Sequence, residues 1–384
     1  MIESLLSDEQ KLFRTTVRSF GEKEVTPHVA EWDEASEFPW QELILKKMGS
    51  LGFLGLMVPQ EYGGYGGGAV DLVILMEEMC RAGFMPAITS ISGACRNIAH
   101  FGREEQRQKY LPDLAAGKIL GASAQTEPDA GSDSSGMKTT AQLVGDQYVI
   151  NGTKIFISNA PIADVFIVAA KDISKQPARL SAFIVERGTP GLVIGKKETE
   201  MGLRLMPQAP LYLDNCSVPR ENLLDLGPNG IRSLMQEFNT ERCGNSGACL
   251  GWAQAAFERA LDYAQERQTF GKPLAGNQGI QWMLADMATT LEAGRLLVYN
   301  AAYRLDKGLR AVKEVAMAKC FMNEQAFKII NDAMQIHGGY GYSREYAVER
   351  MLRDQRGLGF GGGTPQMLRT RIASELLRDS QRQR

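Results

Sequence analysis

The chain has 384 residues, 44% of them hydrophobic and 23% charged, with a net charge of −2. That length exceeds one ordinary core and implies two or three packed units. The near-neutral balance offers no basic stripe for nucleic acid, and no apolar run approaches the roughly 20 residues of a membrane span.

The acidic start, MIESLLSDEQ, has neither a signal nor a transit pattern, so a cytoplasmic protein is expected. Six scattered cysteines form no CxxC pair, and His28, His100 and His337 lie far apart. A metal site is therefore not expected, and the cysteines read as small buried hydrophobes.

Residues 1–120 read as helical. Ser7 followed by Gln10 predicts a capping box, and Phe13, Val17 and Phe20 form one apolar face at helical spacing. A second helix is predicted to open at Asp71. Between them VPQEYGGYGGG reads as a surface loop. Its glycines follow no clear strand, which argues against a nicotinamide fingerprint.

Residues 121–225 change period. Tyr148-Val-Ile and Lys154-Ile-Phe-Ile, separated by Asn151-Gly152, predict a hairpin. Strand-like runs at Asp164, Ala182, Leu192 and Leu211 follow, which suggests an antiparallel barrel or sandwich. Residues 226–384 return to helices. Trp252–Tyr263 and Ile280–Leu297 carry the small and bulky residues of a close-packed bundle. A β unit set between two helical ones leaves a cleft suited to a ligand.

Chemistry concentrates in a few motifs. QTEPDAGSD is a turn-rich loop whose Thr126 and Ser132 hydroxyls and free N–H groups suit a phosphate or a flavin edge; a plain solvated loop is the alternative. GFGGGTPQMLRT places Gly361, Gly362 and Gly363 before a predicted helix, either as a cradle or because a side chain has been lost there.

These motifs do not stand alone. TEPDAGSD, INGTKIFISNA, ERQTFGKPL, QIHGGYGYSREY and GGTPQMLRTRIA occur in order, with VPQEYGG and FGREEQRQKYLP before them. Across nearly its whole length the chain resembles the acyl-CoA dehydrogenase family. The resemblance implies an α+β fold: an N-terminal α-helical domain (1–120), a central antiparallel β domain (121–225) and a C-terminal four-helix bundle (226–384). It implies FAD as cofactor, an acyl-CoA substrate, an electron-transferring flavoprotein as partner and a homotetramer built as a dimer of dimers.

The resemblance also implies roles for residues. Gln125, Thr126, Gly131 and Ser132 match the loop that meets flavin and substrate. Phe156 and Ser158 flank the flavin where many members have Trp and Thr. Arg267, Thr269 and Phe270 match a stretch that reaches the FAD of a second subunit, where a guanidinium can pair with pyrophosphate. Gln335, Gly338 and Gly339 match the loop near its adenosine, although Gly338 also reads as a helix C-cap. Gln278, Thr364 and Gln366 complete the cofactor set. Substrate contacts are expected from Ser132, Phe238, Asn239, Arg242 and Gly363, and from an acyl wall of Met85, Pro86, Thr89 and Gly93. For Arg96, one turn on, two readings stand: it faces an acidic acyl tail or, as expected here, it points to solvent.

One departure stands out. Most members carry their base as Glu in Tyr-Glu-Gly-Thr, but here Gly361-Gly362 precede Gly363-Thr364. Gly362 cannot be a base, yet its N–H can still hold the thioester oxygen. Glu241, before Arg242 in FNTERCGNSG, matches the position where isovaleryl- and long-chain-type members place that glutamate. The reaction implied is α-proton abstraction with β-hydride transfer to flavin N5. The alternatives are an enoyl-CoA reductase like crotonobetainyl-CoA reductase, a desulfinase-like lyase, and a non-catalytic flavin-binding subunit.

Overall fold

The computed structural model describes residues 6–227 and 231–382. Five helices come first: α1 (Asp8–Glu24), α2 (Val29–Ala35), α3 (Ala69–Arg81), α4 (Cys95–Phe101) and α5 (Glu104–Ala115). Wider π turns span Gln41–Met48 and Thr89–Ala94. Ser7 and Gln10 cap α1 reciprocally. The VPQEYGG loop is not wholly on the surface, because Val58 and Tyr62 are buried.

α3 is buried from Ala69 to Cys80, as expected of a helix that is apolar all round. Two of its three buried acids, Glu78 and Glu77, meet arginines. Arg18 of α1 grips Glu78 with two 2.9 Å bonds. Glu77 meets Arg295 at 3.0 Å and Tyr299 at 2.7 Å.

Eight strands follow: β1 (Gly121–Ala124), β2 (Thr140–Val144), β3 (Gln147–Ser158), β4 (Val165–Asp172), β5 (Arg179–Glu186), β6 (Leu192–Ile194), β7 (Gln208–Pro219) and β8 (Leu223–Leu224). They run in the order β6-β7-β3-β2-β4-β5-β8, with β1 beside β4. The sheet is mostly antiparallel, as expected, but β4 runs parallel to β1 and to the start of β2. β4 reads as an unbroken apolar run because both its faces are covered. Phe166 and Val168 join the core of the strands, while Val165 and Ile167 pack on Ile98, Tyr110 and Leu114 of the helices.

The hairpin expected at Asn151-Gly152 is not formed. Both halves belong to one strand, β3, with a bulge between Ile150 and Gly152. Glycine is needed there because a Cβ would press on Thr139. The actual turn is Gly145-Asp146, between β2 and β3, with Gly145 at φ 60°, as two-residue hairpin loops require.

The remaining helices are α6 (Ile231–Glu266), α7 (Gln278–Asp306), α8 (Val312–His337), α9 (Ala347–Leu358) and α10 (Pro365–Arg382). α6 lies against α3 at backbone distance. A Cβ on Gly247 would fall 2.8 Å from the Val73 carbonyl oxygen, and one on Gly251 would overlap the Glu77 carbonyl. The Asp306 carboxylate at the end of α7 accepts the Ala69 and Val70 N–H groups at 2.6 and 3.0 Å; this anchors the N-terminus of α3. Among the described residues, no helix is long and apolar enough to cross a membrane. All six cysteines are buried and free.

Gly251→Ala is expected to cost about 1–3 kcal/mol by overpacking, read as a lowered thermal midpoint. Gly279→Ala, in α7 with open space around it, is the control and is expected to lose nothing.

Candidate active site

A cleft of about 1700 Å³ opens between the sheet, α6 and the loop before α10. From the sheet come Gln125, Thr126, Gly131, Ser132, Phe156 and Ser158. From α6 come Phe238, Asn239, Glu241, Arg242 and Asn245. Gly362, Gly363 and Thr364 close it, and Met85 lines it from the N-terminal helices.

A buried ion pair positions the sheet side. Glu127 accepts the Lys154 ammonium at 2.7 Å, with both side chains almost fully enclosed. It also accepts the backbone N–H groups of Lys138 at 2.5 Å and Thr139 at 3.1 Å. Burial alone would raise its pKa, but these donors outweigh it and hold the carboxyl below the usual range. Burial presses the Lys154 amine down to about 8 against the pull of Glu127, and both groups are charged at neutral pH. Lys154 further donates to the Gln125 carbonyl at 3.2 Å. The TEPDAGSD loop is therefore pinned from beneath, while Gly131 and Ser132 stay exposed on the cleft.

Phe156 sits at a second bulge in β3, at φ 54° and 56% exposed. A left-handed phenylalanine is strained, and such residues gather at functional sites. The Gln208 amide, oriented as a donor, reaches the Phe156 carbonyl at 3.3 Å and Glu200 at 3.1 Å. Burial pushes the Glu200 carboxyl up to about 7.

On α6, Glu241 and Arg242 differ in their bonding. The Arg242 Nε donates to the Gly362 carbonyl at 2.9 Å, and another of its nitrogens donates to Asn239 at 3.0 Å. The Glu241 carboxylate has no hydrogen bond or ion pair among the described residues; burial lifts its pKa against the opposing charges of Arg242 and Lys319. Gly362 and Gly363 take φ values of 69° and 111°. A Cβ on Gly362 would lie 2.8 Å from Asn245 Nδ2 and 3.2 Å from Lys319 Cε. Lys319 is fully buried and donates to the Leu358 carbonyl at 3.1 Å. Asn245 and Lys319 thus occupy the space beside the missing side chain. The Gly362 N–H donates to no group among the described residues.

Arg96 does not point to solvent as expected. It pairs with Glu237 of α6 at 2.6 Å and lines the cleft; His100 meets the same carboxylate at 3.0 Å. A half-buried guanidinium needs a counter-charge, and Glu237, distant in sequence, supplies it. Thr89 falls in a π turn, and its side chain lies outside the described residues.

The other expected residues collect elsewhere. Arg267, Thr269, Gly338 and Gly339 line a second cleft of about 590 Å³. Gly338 does end α8, at φ 61°. Phe270 is fully exposed at φ 52°. Phe270, Gln278, Gln335 and Gln366 line neither cleft. Thr364 Oγ1 accepts the Met367 N–H at 3.3 Å, capping α10. Among the described residues no cluster of His, Cys, Asp or Glu suits a metal ion.

The acyl-CoA dehydrogenase N-terminal, middle and C-terminal domain families match residues 7–118, 122–216 and 228–377. The chain belongs to the acyl-CoA dehydrogenase family. It is 43% identical to an acyl-CoA dehydrogenase of Bacillus subtilis, over 97% of this chain and 99% of that one. It is 42% identical to the CarC subunit of a caffeyl-CoA reductase–Etf complex of Acetobacterium woodii, with the same coverage. Butyryl-CoA dehydrogenase from Megasphaera elsdenii superposes with a TM-score of 0.91 at 37% identity, covering 97% of this chain and 99% of that one.

Acyl-CoA dehydrogenases are FAD enzymes, and the residues here fit that group. The main cleft offers hydroxyl and amide groups beside an exposed aromatic ring. The second offers Arg267, which has no carboxylate partner among the described residues, beside glycines that a Cβ would leave uncrowded.

Lys154→Met is expected to cost about 3–5 kcal/mol, because it strands the Glu127 charge. Adding Glu127→Gln should recover part of that loss. The measurement is the unfolding midpoint of all three proteins; an unmoved midpoint in the single variant would show that the pair does not hold the loop.

Proposed function

We propose that this acyl-CoA dehydrogenase takes the α-proton of an acyl-CoA thioester with Glu241, while the Gly362 N–H holds the thioester carbonyl oxygen. The observation that carries this reading is the unpaired, burial-raised Glu241 carboxylate on a cleft wall tied to Gly362 through Arg242. A base works best with a pKa drawn toward the working pH. A free backbone N–H on a residue that lines the cleft is the kind of donor that a developing enolate oxygen needs. Arg242 fixes the glycine loop by its carbonyl and leaves the N–H free. FAD, when bound, accepts the β-hydride.

Gln125, Thr126, Gly131, Ser132, Phe156, Ser158 and Thr364 would hold the flavin, with Phe156 laid against its ring. Met85, Thr89, Phe238, Asn239, Arg242 and Gly363 would hold the acyl-CoA. Arg267, Thr269, Phe270, Gln278, Gln335, Gly338, Gly339 and Gln366 would serve the cofactor of a second copy in a homotetramer. The separation of the two clefts and the bare Phe270 ring support that division. An electron-transferring flavoprotein as partner has support in the Etf complex named for the Acetobacterium relative. The same name supports a second reading, reduction of an enoyl-CoA. Anaerobic mixing of the loaded enzyme with butyryl-CoA and with crotonyl-CoA separates the two by flavin bleaching or recolouring.

Glu241→Gln is expected to keep FAD and to lose about 10²-fold or more in single-turnover flavin reduction; an unchanged rate removes Glu241 from the role. The base acts as its carboxylate, so kcat/KM should fall as pH drops through its pKa. Burial raises that pKa, so the acid limb should lie above the ordinary value of 4.5. A limb at or below that value counts against an unpaired Glu241.

A further inference from the structure

Lys319, on α8, is fully buried. Its ammonium donates to the neutral Leu358 carbonyl at 3.1 Å, and among the described residues no carboxylate lies within ion-pair distance of it. A buried charge without a counter-ion is costly, and interiors seldom keep one. Lys154 shows the ordinary arrangement in the same chain, with its ammonium 2.7 Å from Glu127. Burial presses the Lys319 amine down to about 8, which leaves it charged at neutral pH. Departures of this kind gather at functional sites.

Its place in the fold accounts for the exception. Leu358 ends α9, just before the glycine loop. A Cβ on Gly362 would lie 3.2 Å from Lys319 Cε and 3.9 Å from Arg242 Cγ. Arg242 itself donates to the Gly362 carbonyl at 2.9 Å. The fields that reach Lys319 come from Cys249, Arg242 and Glu241 of α6 and from Cys320 of its own helix. Burial pushes both thiols up, so they are neutral at that pH. Glu241 is then the anion left in this group. It feels Arg242 and, less strongly, Lys319, and both oppose the effect of burial.

We propose that Lys319 is a positioning residue that holds Glu241 in its ionised form, ready to take the α-proton. The inference rests on Glu241 being the base. In that step the C–H bond breaks, the proton passes to a Glu241 oxygen and the electron pair stays on the thioester; only the carboxylate form can begin it. Burial favours the neutral acid. Arg242 resists that shift, but its guanidinium also serves Gly362 and Asn239. Lys319 has no carboxylate partner of its own, and its field acts on Glu241.

The test removes the charge in two ways. Lys319→Met takes away both the ammonium and the bond to Leu358, whereas Lys319→Gln keeps an N–H donor for that carbonyl. The Glu241 carboxyl is titrated in the FAD-loaded protein by infrared difference spectroscopy, its band being the one missing from Glu241→Gln. Both Lys319 variants are expected to move the titration upward by about half to one pH unit, the low end of what an opposite charge does. The acid limb of kcat/KM with butyryl-CoA should move with it. Where Lys319→Met does not fold, Lys319→Gln alone decides. A Lys319→Gln titration at the wild-type position overturns the proposal, because a shift confined to Lys319→Met belongs to the lost hydrogen bond and not to the charge. The two readouts keep the two failures apart. If the infrared titration moves and the acid limb does not, the base assignment is at fault and this proposal falls with it. If Glu241→Gln slows flavin reduction as expected while the infrared titration stays in place, only the role of Lys319 is overturned.

Discussion

Three glycines on one helix set the geometry of the catalytic half. Gly244, Gly247 and Gly251 let α6 rest on α3 where a Cβ would meet Leu72, Val73 and Glu77. Close backbone approach fixes the rotation of a helix as well as its distance, because interiors are packed too densely to absorb a turn of several degrees. Glu241, Arg242 and Asn245 stand in the same stretch of α6. Their aim into the cleft follows from which face α3 has taken. α3 is itself held at its N-terminus by Asp306 and along one side by Arg18 and Arg295.

Two glutamates near the cleft, buried Glu127 and part-buried Glu241, are treated in opposite ways. Glu127 is surrounded by an ammonium and two N–H groups, so burial locks it as a charge and makes it part of the framework. Glu241 receives only the distant fields of Arg242 and Lys319, so burial works on it unopposed by any hydrogen bond. The difference is a matter of donors within reach, and it separates a structural carboxylate from one able to exchange a proton.

Much of this was legible in the sequence. The three-block order, the α1 capping box and the buried cysteines follow from periodicity and motif, and the residues expected at the main cleft from the family resemblance. The failures have physical causes. Asn151-Gly152 carries the chemistry of a turn, but Gly152 serves the close approach of Thr139, a contact no local signal announces. β1 was not anticipated because Gly-Ala-Ser-Ala has no branched or aromatic residue. Arg96 looked exposed by spacing, while its partner Glu237 lies in another helix. Lys154, Asn245 and Lys319 matter through neighbours distant in the chain, which only the folded arrangement brings to them.

The separation of the two clefts has a further consequence. If one copy holds the flavin end of FAD and a second copy contributes Arg267 and the Gly338-Gly339 turn to the other end, retention of the cofactor and association of the subunits are a single equilibrium. Free FAD then acts as a cross-linking ligand that favours assembly by mass action, and dilution drains cofactor from the protein even though no contact within a protomer has changed.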